Sequence, residues 1–131
     1  MTEAAPLRLD QTRAVMALFD SWGLSPRDIL GVLAIEGVAI RHVDKFRNDR
    51  PFPEGGEMDE RIEHLICIAE ALHTAYPLNP QMGKVWLRKL NRKLGDRPPM
   101  EYLIRGGMDG LRNVRAELDC TYAWQRHSSE A

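Results

Sequence analysis

The sequence predicts an all-α protein built as a helical bundle, and three features of its pattern support that class. Apolar residues recur three and four positions apart, proline and cap residues mark several helix starts, and no segment alternates polar and apolar residues as a half-buried strand does. The 131 residues are enough for one compact domain or for two small helical units that share one core. The composition, 44% hydrophobic and 28% charged, is that of an ordinary globular protein.

The amino-terminal third is predicted to hold three helices. Asp10 is placed to cap the first, over residues 10–22, because its carboxylate can accept from the free backbone N–H groups of the first turn. Ser25 followed by Pro26 starts the second, since proline at the first helical position gives up an N–H that has no partner there. Residues 38–47 are predicted as the third helix, and a loop rich in proline and glycine follows them.

Four more helices are predicted in the rest of the chain. The best patterned starts at Asp59 and stops at Pro77, with acidic residues near the positive end of its dipole. The others are predicted over residues 79–94, 99–105 and 109–123, with glycines as helix-ending signals. The helix over 79–94 has an apolar face that is predicted to be core: Met82, Val85, Trp86 and Leu90. Its other side is basic: Lys84, Arg88, Lys89, Arg92 and Lys93.

Charge is distributed unevenly although the net charge is only −1, so the chain as a whole has no nucleic-acid footprint. Residues 51–83 contain six acidic residues and one basic residue, whereas residues 84–115 contain nine basic and three acidic residues. Opposed charges of this kind fit docking of the two stretches on each other, an acidic partner, or both. They also fit ordinary solvated helix faces, and the sequence alone leaves these interpretations open.

The sequence contains no complete set of residues for catalysis or for metal binding. His64 and Cys67 lie three positions apart on a predicted helix, but no second pair accompanies them, and a complete metal site takes three or four ligands. No nucleophile signature or phosphate-binding loop is present. We therefore expect no catalytic residues, no metal and no cofactor. The lack of a long apolar run, of a secretory signal and of a cysteine framework leads us to expect a cytoplasmic protein without a membrane span.

Residues 25–47 have the organisation of a helix-turn-helix. Two short predicted helices flank the turn Ala-Ile-Glu-Gly, and the second carries Arg41, Lys45 and Arg47, which are the candidate DNA contacts. In such units the second helix presents polar side chains to the major groove. A helical hairpin that only packs against its neighbours gives the same pattern, so both interpretations stay open at this point.

The carboxyl-terminal half contains a pattern of spaced residues: Trp86, Leu87, Asn91, Leu94, Gly95, Pro98, Leu103, Gly110, Val114 and Leu118. This pattern resembles the toxin-binding domain of the MbcA/ParS/Xre antitoxin family. Family members read approximately Trp-Leu, an asparagine, a Leu/Phe-Gly pair, a proline, a glycine-containing turn and then Val-x-x-x-Leu. The preceding helix also resembles the family's linking helix, so the resemblance extends over residues 61–123. Residues 25–47 resemble the family's Xre-type helix-turn-helix less closely, with Ala34 where family members have a glycine.

The resemblance implies a domain arrangement and a function. It implies a helix-turn-helix region over residues 1–58, a linking helix over 59–77, a toxin-binding domain over 78–126 and a short tail over 127–131. It also implies a non-catalytic antitoxin of a type II toxin–antitoxin system. The toxin of such a system has a RES-type domain that consumes NAD or transfers ADP-ribose, and binding of operator DNA would let the antitoxin regulate its own operon. The alternative hypothesis is a free-standing helix-turn-helix regulator that forms a homodimer through its carboxyl-terminal domain.

Individual site residues follow from the resemblance and from residue type. Trp86 is expected in the core, and Asn91 is expected to close the turn toward Gly95 by local hydrogen bonds. Arginine and aromatic side chains are the types that anchor protein interfaces. The candidate toxin contacts are therefore the carboxyl-terminal residues of these types: Arg105, Arg112, Arg115, Tyr122, Trp124 and Arg126.

Overall fold

The structure, a computed structural model, describes the backbone of residues 4–130 and the side chains of residues 7–118. Its helices are α1 (Ala4–Ser21), α2 (Pro26–Leu33), a 3-10 helix (Ile40–Arg47), α3 (Gly56–Ala75), α4 (Pro80–Arg88), a second 3-10 helix (Arg92–Leu94), α5 (Pro99–Arg105) and α6 (Gly107–Glu130). Residues 4–130 form no β-strand, because the one extended pairing among them is an isolated bridge between Asn91 and Arg97. The all-α prediction is confirmed. No helix in these residues has the length and apolarity that a membrane crossing requires.

The chain divides into two compact units, Met1–Glu63 and His64–Ala131. The division falls inside α3, so the first turns of this helix belong to the amino-terminal unit and the later ones to the carboxyl-terminal unit. The resemblance implies that residues 59–77 form a linking helix between two domains. In the structure α3 supplies core residues to both units: Met58 and Ile62 to the first, and Leu65, Ile68 and Leu72 to the second.

The amino-terminal unit has a core of large apolar side chains. The 3-10 helix packs against both α1 and α2. Two aromatic contacts contribute, since the rings of Phe46 and Phe52 meet edge to face with centroids 5.2 Å apart and those of Phe19 and Trp22 lie 6.3 Å apart. The other buried apolar residues of this unit are Val15, Met16, Leu24, Ile29, Val32, Leu33, Val43, Met58 and Ile62.

Buried polar groups connect α1 to the segment that leads into α3. The hydroxyl of Thr12 donates to the backbone carbonyl of Arg8 at 2.7 Å and accepts from the backbone N–H of Phe52 at 2.9 Å. The buried guanidinium of Arg8 pairs with Asp59 in the first turn of α3. These bonds satisfy groups that would destabilise the fold if they were buried without partners, so they fix the position of the proline-rich loop.

Helix α1 begins earlier than the sequence predicts. It starts at Ala4, so Asp10 lies inside the helix on an exposed position and is not its cap. The physical reason is that alanine, leucine and arginine are strong helix formers, while Pro6 falls in the first turn, where proline is tolerated. Similarly, α3 begins at Gly56 rather than Asp59, after Gly55 turns the chain with a φ of 133°.

The predicted third helix is a 3-10 helix rather than an α-helix. Its buried residues, Val43 and Phe46, are three positions apart, and a helix with three residues per turn places both on the same side. The preceding α2 agrees with the sequence, because Ser25 is its cap and accepts from the backbone N–H of Asp28 at 3.2 Å. The turn after α2 is reached through Ala34, whose φ of 52° lies in the left-handed region.

Ala34→Gly is expected to stabilise the protein. A left-handed conformation costs a non-glycine residue ~1–2 kcal/mol, and the greater freedom of glycine in the unfolded chain offsets part of the relief. We expect the free energy of unfolding to rise by ~0.5–1 kcal/mol, measured by chemical denaturation.

The matched control is Ala17→Gly, which makes the same replacement at an exposed position inside α1. There glycine should lower the free energy of unfolding by ~1 kcal/mol, because it weakens the helix. If both replacements destabilise the protein equally, Ala34 does not adopt the left-handed conformation.

The carboxyl-terminal unit is built by α4, α5, α6 and the second half of α3. Helix α5 packs against both α4 and α6. Pro99 lies at the first position of α5, as the double proline predicts, and Gly106 ends it. Helix α6 begins at Gly107 and extends to Glu130, beyond the predicted range of 109–123. The buried apolar residues of this unit are Leu65, Ile68, Leu72, Leu87, Leu94, Met100, Leu103, Leu111, Val114 and Leu118.

Candidate partner-binding surfaces

Helix α4 presents a different face to the core from the one that the sequence predicts. Gly83 and Leu87 are its buried residues, and Trp86 is only half-buried, so its expected place in the core is a correction. The other members of the predicted apolar face are exposed: Met82 by 40%, Val85 by 51% and Leu90 by 67%. The reason lies at Gly83, where a Cβ would be 3.4 Å from the Cβ of Leu72. Because glycine adds no side chain, this side of α4 can approach α3 most closely.

The helix predicted over residues 79–94 is also shorter, because Asn91 interrupts it. Helix α4 ends at Arg88, and Lys89 is extended with a ψ of 144°. The side chain of Asn91 accepts from the backbone N–H of Lys93 at 3.0 Å, and its backbone carbonyl accepts from the N–H groups of Leu94 and Asp96, each at 3.0 Å. Asparagine competes with helical bonds in this way, so the chain turns instead of continuing the helix.

The turn after Asn91 is completed by two further residues. Gly95 adopts a φ of 70°, which glycine takes without a steric penalty. The hydroxyl of Tyr102, on α5, donates to the backbone carbonyl of Leu94 at 2.7 Å. This bond joins the turn to α5. Sequence reasoning identified Asn91 and Gly95 but missed Tyr102, which a tyrosine on the half-buried face of a short helix could have indicated.

Glycines bring α5 and α6 into direct backbone contact. Gly110 is buried in α6, and a Cβ built there would lie 2.1 Å from the backbone carbonyl oxygen of Tyr102. Among the other motif residues, Val114 and Leu118 are buried in α6, and half-buried Pro98 precedes α5. Apart from Trp86 and Leu87, which lie on α4, the residues that match the family pattern therefore lie in the turn after Asn91, beside α5, or in α5 and α6.

The predicted toxin contacts differ in their surroundings. Arg105 is exposed at the end of α5. Arg112 is exposed on α6, and its Nη1 lies 3.2 Å from a carboxylate oxygen of Asp109. Arg115 is half-buried, and its Nη1 lies 3.1 Å from Nδ1 of His64 on α3. The remaining three candidates have side chains that lie outside the described residues: Tyr122, Trp124 and Arg126.

The predicted DNA contacts lie on the 3-10 helix of the amino-terminal unit, and two of them are exposed whereas Arg47 is half-buried. Arg41 and Lys45 point to solvent. Arg47 instead forms two hydrogen bonds with the carboxylate of Asp20, at 2.6 and 2.9 Å, and a third with Asp44 at 2.9 Å. The hydrogen bond from Arg47 lowers the pKa of Asp20. The same hydrogen bond is the main reason why the pKa of Arg47 is raised. Arg47 therefore connects the 3-10 helix to α1.

A small cationic cluster surrounds His42 on the same helix. The pKa of His42 is lowered chiefly by the positive charge of Lys45, with smaller effects of burial, of Arg41 and of Arg50. The guanidinium of Arg50 also lies over the ring of Phe46, 5.2 Å from its centroid. A local field that disfavours a further positive charge is one that attracts an anion.

The pair of possible metal ligands in the sequence is His64 and Cys67. Within residues 7–118, no group of three or more His, Cys, Asp or Glu side chains is arranged to hold a metal ion. His64 is in contact with Arg115, and Cys67 is a half-buried free thiol.

Comparisons with known proteins were made at three levels. No protein-family model, no curated protein and no solved structure matches this chain.

Proposed function

We propose that this protein is the antitoxin of a type II toxin–antitoxin system and that it binds and neutralises a RES-domain toxin. The observation that carries the proposal is the combined role of Asn91, Gly95 and Gly110. Each has a residue-specific task in the carboxyl-terminal unit: a local hydrogen-bonding turn, a left-handed conformation and a close backbone approach. The sequence resembles the MbcA/ParS/Xre toxin-binding domain at these positions. Each of the three residues therefore has a structural role that explains why that amino acid is present.

The inhibitory contact is proposed to come from residues 97–126. Arg105 and Arg112 are exposed there, and guanidinium groups form paired hydrogen bonds with carboxylates at a partner's surface. Arg115 is half-buried beside His64, and its guanidinium is part of the proposed inhibitory contact. Tyr122, Trp124 and Arg126 complete the proposed contact as aromatic and arginine anchors. Blocking a toxin in this way needs shape and charge only, and no catalytic group.

Removing residues 121–131 is expected to abolish neutralisation while leaving the fold intact. The buried residues of α6 identified above extend to Leu118, so the shortened chain keeps them, whereas it loses all three carboxyl-terminal anchors. The measurement is growth of cells that co-express the chain with its proposed RES-domain toxin. Circular dichroism of the purified shortened chain is the control for folding. Full rescue by that chain contradicts the assignment of Tyr122, Trp124 and Arg126.

Operator binding is a second candidate function, favoured by the cationic cluster around His42. We propose that Arg41 and Lys45 contact the phosphate backbone and that Arg47 acts by positioning the 3-10 helix. Because few cations are involved, binding should be modest and should weaken as salt rises. In a gel shift with the DNA upstream of the gene, Arg41→Ala with Lys45→Ala should remove binding without changing the melting temperature.

The effect of Arg47 on DNA binding can be measured separately from the effects of Arg41 and Lys45. Arg47→Ala should reduce binding and also lower the melting temperature, because it leaves Asp20 and Asp44 without their guanidinium. A gel shift that survives replacement of all three cations contradicts DNA reading by this helix. Operator binding without any toxin rescue would favour the alternative, a free-standing regulator that forms a homodimer.

A further inference from the structure

Exposed apolar side chains are concentrated around α4. Seven large apolar residues are exposed in the described part of the chain, and four of them lie within residues 78–90. Leu78 is 97% exposed, Leu90 is 67% exposed and Val85 is 51% exposed. Met82 completes this set, which we call the α4 ridge: Leu78, Met82, Val85 and Leu90. A group of large apolar side chains in one place on a surface indicates a binding site more strongly than the same number scattered singly.

The ridge lies opposite the buried side of its helix. Gly83 and Leu87 are one turn apart and face the core, so Val85, two positions from each, falls on the outer side. Met82 and Val85 are three positions apart on α4, whereas Leu78 lies in the turn before the helix and Leu90 follows its end. A partner helix would therefore meet exposed apolar side chains on α4 and beside both of its ends.

Cations border the ridge. Residues 78–95 contain five basic residues and no acidic one. Lys84, Arg88 and Lys89 line a shallow depression together with Gln81 and Val85, so charge and apolar surface meet at the same place. A partner that covers the ridge also removes water from the cations at its border, and this desolvation costs free energy. A partner that places carboxylates beside those cations compensates the cost.

Three other occupants fit the ridge less well. Nucleic acid would engage the cations but leave the aliphatic side chains without a contact, because direct binding to phosphate needs no apolar row. A membrane-surface helix needs a longer apolar face than the nine residues of α4. A second copy that packed ridge against ridge would bring Lys84, Arg88 and Lys89 of both copies together, and like charges in that position oppose association.

We propose that the α4 ridge is a docking surface for a protein partner that presents an apolar helix face bordered by glutamate or aspartate side chains. The partner's identity rests on the proposed function, in which it is the toxin. The ridge is then a docking surface additional to the inhibitory contact of residues 97–126. It would hold the toxin through apolar burial and its carboxylates through Lys84 and Lys89.

The chemistry of the surface is tested with two synthetic helical peptides. Both carry a leucine stripe, which is bordered by glutamates in one and by lysines in the other. The full-length chain is titrated with each, and the methyl signals of Met82, Val85 and Leu90 are followed by NMR. We expect the glutamate peptide to bind at least ~10-fold more tightly and to shift these signals. Equal binding of the two peptides, or shifts centred on the exposed Leu7 instead, overturns the proposal.

The partner is tested with variants of the ridge in a complex with the toxin. Val85→Glu and Leu90→Glu should each weaken toxin binding by ~30-fold, the effect of losing a central contact residue. Leu7→Glu is the control, because it adds the same charge at an apolar residue of the amino-terminal unit that is 65% exposed. Lys84→Glu with Lys89→Glu should weaken binding similarly, whereas Arg41→Glu with Lys45→Glu should not. Wild-type affinity in the ridge variants overturns the proposal.

The outcomes separate this proposal from the proposed function. If the toxin is neutralised by wild-type and ridge variants alike, the antitoxin function stands and the docking surface does not. If no toxin is neutralised, the antitoxin function fails, and the peptide titration alone decides the surface. Tight binding of the wild-type chain to anionic lipid vesicles, or a dimer in sedimentation that Val85→Glu dissociates, would assign the ridge to another occupant and overturn the proposal.

Discussion

Gly110→Ala is expected to destabilise the carboxyl-terminal unit by ~3 kcal/mol, the upper end of the usual cost of overpacking. A Cβ at this position would lie 2.1 Å from the backbone carbonyl oxygen of Tyr102 and 2.9 Å from its carbonyl carbon. Both atoms belong to the backbone of α5, so no side-chain rotation can relieve the clash. Helices α5 and α6 must move apart, and the contacts of Leu103 and Leu111 in the core would loosen with them.

Gly83→Ala is the matched control, since it adds the same methyl group to a second buried glycine inside a helix. There the new Cβ meets only side-chain atoms of Leu72, the nearest at 3.4 Å, which is close to an ordinary contact. Because alanine favours the helix over glycine by ~1 kcal/mol, this variant should be neutral or slightly stabilised. The measurement is urea denaturation of both variants. Equal midpoints would contradict the close approach of α5 and α6.

Leu87→Ala is expected to lower the free energy of unfolding by ~2–5 kcal/mol, the range for a leucine truncated in a packed core. Leu87 is fully buried, whereas Val85, two positions away on the same helix, is 51% exposed. Val85→Ala should therefore change the free energy of unfolding by no more than ~0.5 kcal/mol. Trp86→Ala should fall between the two, because the indole is half-buried.

Chemical denaturation of the three variants decides which face of α4 points inward. The order Leu87, Trp86, Val85 in decreasing cost agrees with the structure. A cost at Val85 that equals the cost at Leu87 would instead restore the face predicted from the sequence. The same variants also serve the docking proposal, because a ridge residue can be tested for binding only where its replacement leaves the fold intact.

Local signals in the sequence predicted much of the fold. The Ser25–Pro26 and Pro98–Pro99 steps mark helix starts correctly, because capping and proline geometry act within a few residues. The local hydrogen-bonding role of Asn91 was predicted for the same reason, since its bonds reach only to residues 93–97, but the end of the helix before Asn91 was not predicted. The start of α1 and the end of α4 were predicted less well, because strong helix formers extend α1 before Asp10 and the hydrogen bonds of Asn91 compete with a longer α4.

The candidate site could be predicted only in part. Residue type and resemblance identified Arg41, Lys45 and Arg47 together, but the role of Arg47 depends on Asp20, which lies 27 positions earlier in the chain. No local pattern contains that pairing. The α4 ridge was missed because three of its residues, Met82, Val85 and Leu90, belong to the apolar face that indicates a core whenever the helix is considered alone.

The sequence by itself determined the helical class, the helix starts that proline marks and the hydrogen-bonding role of Asn91, since each depends on backbone preferences and hydrogen bonds between near neighbours. Tertiary structure alone decided which side of α4 is buried, and the reason is steric. Gly83 allows a closer approach to Leu72 than Val85 would, so the packing energy of the assembled unit favours burying the side with less apolar surface. The apolar residues that this choice leaves in solvent are the ones available to a partner.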